Sequence, residues 1–458
     1  MRPDRASVQP GDDVLLSGWG GTAPSRARLT TPLNDADVGT LLDAAPERGA
    51  IARGLGRAYS DAAQNAGGMV LDMTAMAGVH AVHLGRGIVT VGAGTSLDAL
   101  MRWLVPRGWF PITPGTRFVT VGGAIASDVH GKGHHADGTF GQHVRSLTLR
   151  TGGGEVLTLT PETTPERFWA TVGGLGLTGV ILDATFDLIP IETSLMSVDE
   201  ERCRDLDDLM SRMVEGDERY RYSVAWIDCL ARGASLGRGI LGRGNHARLD
   251  QLPKERRRSP HRFDPKPVLV APPFMPSGLV NTLSMRAFNE LWFRKARHRH
   301  EGTLQSIGFF FHTLDMVEGW NRIYGVSGFV QYQFVVPDDA QEAVRIAVER
   351  LSGAGTASFL AVLKRFGPQN PGMLSFPTSG WTLALDIPVG NPGLPQLLDR
   401  LDDIVLGAGG RVYLSKDSRT RPEHLAQMYP RLDEFREVRA KLDPNGVITS
   451  DLARRLAL

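Results

Sequence analysis

The chain has 458 residues, too many for one ordinary hydrophobic core, and its 42% apolar and 22% charged content suits a globular protein, not a disordered tail. Its 51 Lys and Arg against 50 Asp and Glu leave a formal net charge of +1, so nothing global argues for nucleic-acid binding. Its 53 glycines follow no fixed period, which points to tight turns and backbone-lined sites and excludes a fibre. Cys203 and Cys229 are too few for a disulfide framework and lie outside any Cys-x-x-Cys pair. The N-terminal MRPDRASVQPGDD has no apolar h-region, and no stretch has the length and purity of a spanning helix. The expectation is a cytoplasmic protein or one peripheral at the plasma membrane, with the membrane side open.

Trp19 sits in SGWGGTAPS, too rich in Gly and Ser for regular structure. The spacing of Val38, Leu41, Leu42 and Ala45 predicts a helix over 35–45, stopped by Pro46. IARGLGRAYSD then places Gly54 and Gly56 between polar residues. Such a loop can hold a diphosphate through backbone donors, with Arg53 or Arg57 adding charge, and equally suits a hairpin turn. Strands are expected over 70–73 and 88–91 and a helix over 96–104. The turn between them reads GAGTSL, which is not G-x-G-x-x-G and has no acidic residue at the usual distance, so a Rossmann unit is not expected.

Residues 114–145, PGTRFVTVGGAIASDVHGKGHHADGTFGQHVR, combine Gly115, Gly122 and Gly123 with His130, Lys132, His134, His135 and Asp137. This pattern marks a place where a phosphate-bearing cofactor meets a reaction site, and it also suits a glycine-rich turn with solvated histidines. A metal site is not expected, because the spacing matches no zinc pattern. Strands follow over 147–150, 156–159 and 180–188, with a glycine-broken segment, ERFWATVGGLGLTG, before the last.

In the second half, Leu206, Leu209, Met210 and Met213 predict a helix over 199–213 that includes Cys203, and 222–228 reads as a strand. Residues 232–278, rich in Arg, Gly and Pro, are expected to be loops over a substrate opening. With Phe274, Met275 and the basic cluster Arg294 to His300, they suit either a solvated face or peripheral membrane contact. From Phe329 the order strand, helix, strand, strand, helix, strand predicts a ferredoxin-like sheet. Alternation in FVQYQFVV places Gln331 and Gln333 on one face with Tyr332 opposite, and Lys364 and Phe366 share a face of their strand. RVYLSKDSRT ends a strand in a polar cluster, and the tail, helical over 433–442, is expected to return to the first domain.

ARGLGRAYSD, PGT with VGGAIASDVHGK, and FWATVGGLGLTG resemble the FAD-binding domain of the vanillyl-alcohol-oxidase-type flavoproteins. The resemblance implies an α+β fold: a two-subdomain FAD-binding domain plus a substrate domain with an antiparallel sheet and ferredoxin-like βαββαβ order. The bounds expected are 1–195 for the FAD-binding domain, 196–410 for the substrate-binding domain and 411–458 for a segment returning to the first. Many relatives tether the flavin through a histidine whose place is taken here by Arg57, so non-covalent FAD is expected. Together with GWGGTAP, FVQYQFVVP, VLKRFG and YLSKDSRT, the chain is similar to a narrower family, the decaprenylphosphoryl-β-D-ribose oxidases.

That family resemblance implies oxidation of a ribose 2′-hydroxyl on a polyprenyl-phosphate sugar, the first half of a 2′-epimerisation for actinobacterial cell-wall arabinan. It also implies an NAD(P)H-dependent keto-reductase as partner. Lys416 and His130 are the implied catalytic residues. The implied cofactor contacts are Arg53, Gly54, Leu55, Gly56, Arg57, Ala58, Tyr59, Gly115, Thr116, Thr120, Gly122, Gly123, Ser127, His130, Gly179, Val180 and Tyr413. The implied substrate contacts are Tyr59, Lys132, Phe311, Gln331, Gln333, Lys364, Phe366, Thr382, Ala384 and Lys416. Three of these depart from the family pattern: Ala384 replaces a frequent cysteine, Thr382 an asparagine and Phe311 a tyrosine. The alternatives are an FAD-dependent sugar or aldonolactone oxidase, and a non-catalytic nucleotide-binding scaffold.

Overall fold

A computed structural model describes residues 12–458, and the polar stretch before Asp12 lies outside the described residues. The first part holds two small sheets. Asp13–Leu16, Ser25–Thr30, Met69–Asp72 and Ala50–Arg53 lie side by side in that order, the last three mutually parallel. Val79–His83, Ile88–Gly92, Val180–Asp187, Val144–Arg150 and Val156–Leu159 form an antiparallel five-stranded sheet. The 53–61 glycine segment joins two strands of the first sheet, and the 114–145 and 173–179 segments lead into two strands of the second.

The second part is one eight-stranded antiparallel sheet. Its order is Arg299–Ser306, Leu195–Cys203, Gly239–His246, Tyr222–Ile227, Ala361–Phe366, Gly380–Pro388, Phe329–Val336 and Arg411–Val412. The last four strands, with the helices Gln341–Gly353 and Leu394–Gly407, form the ferredoxin-like unit expected from the sequence. The first four repeat it. Strand Leu195–Cys203, helix Leu206–Gly216, strands Tyr222–Ile227 and Gly239–His246, helix Thr282–Lys295 and strand Arg299–Ser306 have the same order of elements and the same order across the sheet. The two units join edge to edge, with Ala225 opposite Leu363 and Trp226 opposite Val362.

Two sequence expectations fail in the first unit. Residues 195–203 are a strand, so Cys203 ends a strand and is not in a helix. Its helix starts only at Leu206, because Asp205 caps it by accepting from the Asp208 amide at 2.8 Å. Residues 232–278 are not all loop, since Gly239–His246 is a strand between two neighbours. Its glycines hid it, and they are needed there: a Cβ on Gly239 would lie 2.5 Å from the Trp226 carbonyl oxygen. The basic run near 294–300 ends the helix Thr282–Lys295 and opens the strand Arg299–Ser306.

Alternation assigns the two faces of the ferredoxin-like unit. Tyr332, Phe334, Val336, Trp381, Leu383 and Leu385 pack into the main core beneath the two helices, where Leu397, Leu398, Leu401 and Val405 meet them. The opposite face carries Gln331, Gln333, Thr382, Ala384, Asp386, Lys364 and Phe366, set against one another by the pairs Gln331–Asp386, Gln333–Ala384 and Lys364–Thr382.

The C-terminal segment closes on the first sheet. Ile448 bridges Ala50, and Asp451 accepts from the Ala66 amide at 2.9 Å. Arg455 donates to both carboxylate oxygens of Asp61 at 3.0 Å and to Asp417 at 2.9 Å. That guanidinium ties the loop after Tyr59 to the residue after Lys416. Arg455 is only three-quarters buried, so Arg455→Ala should cost about 2 kcal/mol, less than a fully buried pair. A chemical denaturation midpoint equal to that of the parent chain would refute this clamp.

Candidate functional site

Two glycine-rich segments meet first. A Cβ on Gly54 would lie 2.2 Å from Thr120 Oγ1, so the 53–59 loop rests directly on the start of the helix Val121–Ala126. Gly54, Leu55, Gly56, Arg57, Ala58 and Tyr59 are half-buried, as are Gly122, Gly123 and Ser127, whereas Gly115 is exposed and a side chain there would meet open space. The two backbones therefore line one groove. Arg57 stacks on Trp19, 3.6 Å from the ring centroid. Arg53 does not stand as a free charge over the groove: its guanidinium donates to the carbonyls of Ala63 at 2.9 Å and Ser17 at 2.7 Å and so shapes the loop. Gly179 and Val180 stand apart, buried at the start of a strand paired with Arg150.

The second part reaches over this groove. Thr116 donates to Asp315 at 2.8 Å, the Arg117 amide donates to the other Asp315 oxygen at 2.8 Å, and Thr113 meets His312 at 2.9 Å. On the other side, Tyr413 donates to the Ser127 carbonyl at 2.7 Å, and the Tyr59 amide donates to the Ser415 carbonyl at 3.1 Å. Lys416 thereby sits with its ammonium 5.5 Å from the Tyr59 ring and 5.7 Å from the Tyr413 ring.

His130 is buried against Phe366, Phe376 and Tyr413. Gln333 donates to its Nε2 at 3.1 Å and to Thr382 at 3.0 Å. With the Gln333 amide in this orientation Nε2 accepts and the ring proton is on Nδ1, which has no partner among the described residues. Burial, then the charges of Lys364, Lys416 and His134, hold His130 well below its usual pKa, so it is neutral. Behind it, His134 accepts from the Gly367 amide at 3.1 Å, and burial lowers it to about 3.

Three half-buried lysines lie here. Burial, followed by the charges of Lys416 and Lys132, lowers Lys364 to about 7. Burial lowers Lys132 to about 8, and its ammonium donates to the Phe310 carbonyl. Lys416 is lowered by burial and partly restored by Asp386. Asp386 is fully buried and accepts from Gln331. Burial raises its carboxyl, against the lowering effects of Gln331 and Lys416. Phe311 lies further off, among Phe110, Tyr222 and Phe310.

Two residues of the site escaped the sequence reading. Asp386 had a usable signal: a lone acid in WTLALDIP at the period-2 positions of Thr382 and Ala384. Asp128 had none. It adopts φ +40°, accepts from the Gly141 amide at 3.1 Å, from Asn370 at 2.6 Å and from Ser375, and so fixes the turn that carries His130. Both cysteines are inert by burial: Cys203 is pushed up to about 12 and Cys229 is also raised. Among the described residues, no group of three or more His, Cys, Asp or Glu side chains could hold a metal ion.

A sequence model described as an FAD binding domain matches residues 27–160, and one described as D-arabinono-1,4-lactone oxidase matches 389–456. A decaprenylphosphoryl-β-D-ribose oxidase of Mycolicibacterium smegmatis is 46% identical over 97% of both chains. The chain belongs to the decaprenylphosphoryl-β-D-ribose oxidase family. A Streptomyces coelicolor protein of unassigned activity is 43% identical over 79% of this chain, and an L-gulono-1,4-lactone dehydrogenase of Mycobacterium tuberculosis is 24% identical over 96%.

Membership makes the chain an FAD-dependent oxidoreductase and sets aside the non-catalytic scaffold. The fold is of the vanillyl-alcohol-oxidase type, and FAD is held without a covalent bond. The residues fit that group. The paired half-buried glycine segments suit a diphosphate. Among the described residues His130 Nδ1, Gln331 Oε1, Gln333 Oε1, Ser415 Oγ and Asp386 Oδ2 are buried polar atoms without protein partners, as expected where a polar ring system and a sugar are received.

Denaturing the holoprotein and filtering it should release all of the flavin, and yellow colour left on the chain would refute non-covalent binding. In the ligand-free protein Lys364 is a half-buried charge whose pKa is depressed by folding. Its cost is fully present below about pH 7 and shrinks as pH rises toward the unfolded-state value. Lys364→Met should therefore raise stability by roughly 1–4 kcal/mol at pH 6, with the gain fading at high pH. A loss of stability at pH 6 would contradict this.

Proposed function

We propose that this chain oxidises the ribose 2′-hydroxyl of a polyprenyl-phosphate ribose, of the decaprenylphosphoryl-β-D-ribose type, to the 2′-keto sugar. The carrying observation is the face shared by Gln331, Gln333, Lys364, Asp386 and His130, to which the 413–417 turn adds Lys416. A phosphodiester is an anion, and the half-buried Lys364 has other lysines but no acid acting on it among the described residues, so its ammonium form leaves charge for the phosphate to neutralise. In this reading Lys364 holds the phosphate, and Gln331 and Gln333 offer unpaired oxygens to sugar hydroxyls. Ala384 and Thr382 line the same face without a thiol, which the redox chemistry does not need.

Bound FAD supplies the two-electron acceptor. Gly54 to Tyr59 and Gly122 with Gly123 would hold its diphosphate, and neutral His130 would present Nδ1–H to the flavin or the sugar. Lys416 takes the hydroxyl proton: burial keeps its amine available near neutral pH, and Asp386 stabilises the ammonium that forms. The keto product is a reactive intermediate of an epimerisation, so an NAD(P)H-dependent reductase is the partner this reading calls for.

The match to the lactone-oxidase model and the more distant lactone dehydrogenase favours a second reading, oxidation of an aldonolactone. A neutral lactone has no charge to answer Lys364. Anaerobic mixing with lipid-linked phosphoribose should bleach the flavin absorbance, and bleaching by L-gulono-1,4-lactone but not by the phosphoribose would reverse the choice.

Lys416→Ala should keep full flavin content and slow flavin reduction by about 10²–10⁴-fold. Lys416→Arg should be equally slow, because arginine does not deprotonate; a fast arginine variant would make the role electrostatic. The parent's reduction rate should climb with pH as Lys416 loses its proton. Asp386→Asn removes the charge that raises Lys416, so the acid limb of this profile should move to lower pH. An unmoved limb would exclude Asp386 from proton handling.

A further inference from the structure

Hydrophobic side chains left in water are concentrated near one corner of the second part. Val268, Leu269 and Val270 are more than 60% exposed, Leu283 79%, Phe274 89% and Val326 94%. Several single exposed apolar residues would need no explanation, but these are neighbours. Leu269–Val270 pairs in parallel with Val317–Glu318, and the Ala271 amide continues the contact to the Glu318 carbonyl at 2.8 Å. Arg322 donates to the Ala271 carbonyl at 2.7 Å. A Cβ on Gly325 would lie 2.5 Å from Ser277 Oγ, so Val326 emerges beside the strap that carries Phe274. The helix Thr282–Lys295 follows, with Leu283, Ala287 and Leu291 exposed along one stripe.

Charge accompanies the apolar surface. Between Pro265 and His300 the chain has six basic residues (Lys266, Arg286, Arg294, Lys295, Arg297 and Arg299) and one acid, Glu290. Glu290 pairs with Arg238 and Arg294, Asp264 with Lys266 and Glu301 with Arg299, so among the described residues Arg286, Lys295 and Arg297 are the three outside ion pairs. All six basic residues are exposed. The underside of this corner is the roof of the site: Trp320 lies 6.0 Å from Trp19, Tyr324 stacks on Phe329 at 4.2 Å, and Phe329 meets Tyr59 at 5.6 Å. Tyr324 is buried, and its hydroxyl has no hydrogen-bond partner among the described residues.

We propose that this corner is a membrane-docking surface, in which the 268–279 strap, the start of the helix Thr282–Lys295 and Val326 enter the interfacial layer of an anionic bilayer. Apolar side chains followed along the same helix by cations fit that layer, where apolar burial and attraction to anionic headgroups act together. A second copy of this chain does not suit the surface, because the cations Arg286, Lys295 and Arg297 would be brought against the same three. The inference rests on the substrate reading only for why a bilayer belongs beside this pocket: a polyprenyl tail could stay in lipid while its phosphoribose passes beneath Trp320 and Tyr324.

The test is sedimentation of FAD-loaded full-length protein with vesicles, without substrate. Vesicles containing about one-third phosphatidylglycerol should carry the protein down, pure phosphatidylcholine at least about tenfold less, and added salt should weaken binding. Phe274→Ser with Leu283→Ser should lower binding by at least about tenfold while flavin content stays unchanged. Arg294→Gln with Lys295→Gln should weaken the preference for anionic vesicles. Equal sedimentation with and without vesicles, or binding unaltered in both variants, would overturn the proposal. So would velocity sedimentation showing that Phe274→Ser with Leu283→Ser separates a dimer, which would assign the surface to a second copy. Because no substrate is present, these outcomes are independent of whether phosphoribose bleaches the flavin.

Discussion

The structure is organised around positive charge held where water is scarce. Lys132, Lys364 and Lys416 are half-buried in the seam between the glycine segments and the large sheet, with Asp386 the acid that opposes Lys416. Neutral His130 and His134 add no compensating charge. Burying an ammonium costs several kcal/mol even after relaxation, and the opposite face of the sheet offsets it. Leu397, Leu398, Leu401 and Val405 cover that face, and each buried side chain of this kind contributes roughly 1.5–3 kcal/mol. An anionic ligand turns the same strain into affinity, because its charge is the partner the fold withholds.

Holding such a seam in register needs ties from several directions. Asp315 joins the second part to the 116–117 backbone, Asp128 fixes the turn before His130, and Arg455 joins Asp61 to Asp417. None of these groups is on the face that meets substrate in the proposed reaction. Each lies within a few residues of one that is, so the C-terminal helix, the last in the chain, bears on the geometry of the site. The duplicated ferredoxin-like order has a related consequence. One copy supplies the reactive face, and the other carries the basic and apolar corner.

How much was legible depended on the kind of signal. Strand Phe329–Val336 was readable because its alternation is clean: glutamines toward the seam, aromatics toward the helices. Strand Gly239–His246 was not, because three glycines in eight residues look like loop until the strands on either side are known to need the space. The acid run after Asp199 looked helical because Leu206 to Met213 are, and the cap at Asp205 decides where that helix begins. Arg53 looked like a phosphate clamp because it borders the glycine loop; its hydrogen bonds to Ala63 and Ser17 were invisible without the fold.

The sequence by itself determined the kind of protein. Three glycine segments in order, the alternating strand with its glutamines, and the Lys416 turn carry the family likeness, because backbone access and period-2 facing are local properties of the chain. Only the tertiary structure decided which of these groups share a charge environment. Lys364, Lys416, Asp386 and His130 come from strands and turns far apart in sequence, and their protonation depends on mutual burial, which no local pattern encodes. The same holds for the pairing of two ferredoxin-like units and for the exposed corner above the site. Both are fixed by which edges and faces remain uncovered once the whole chain has packed.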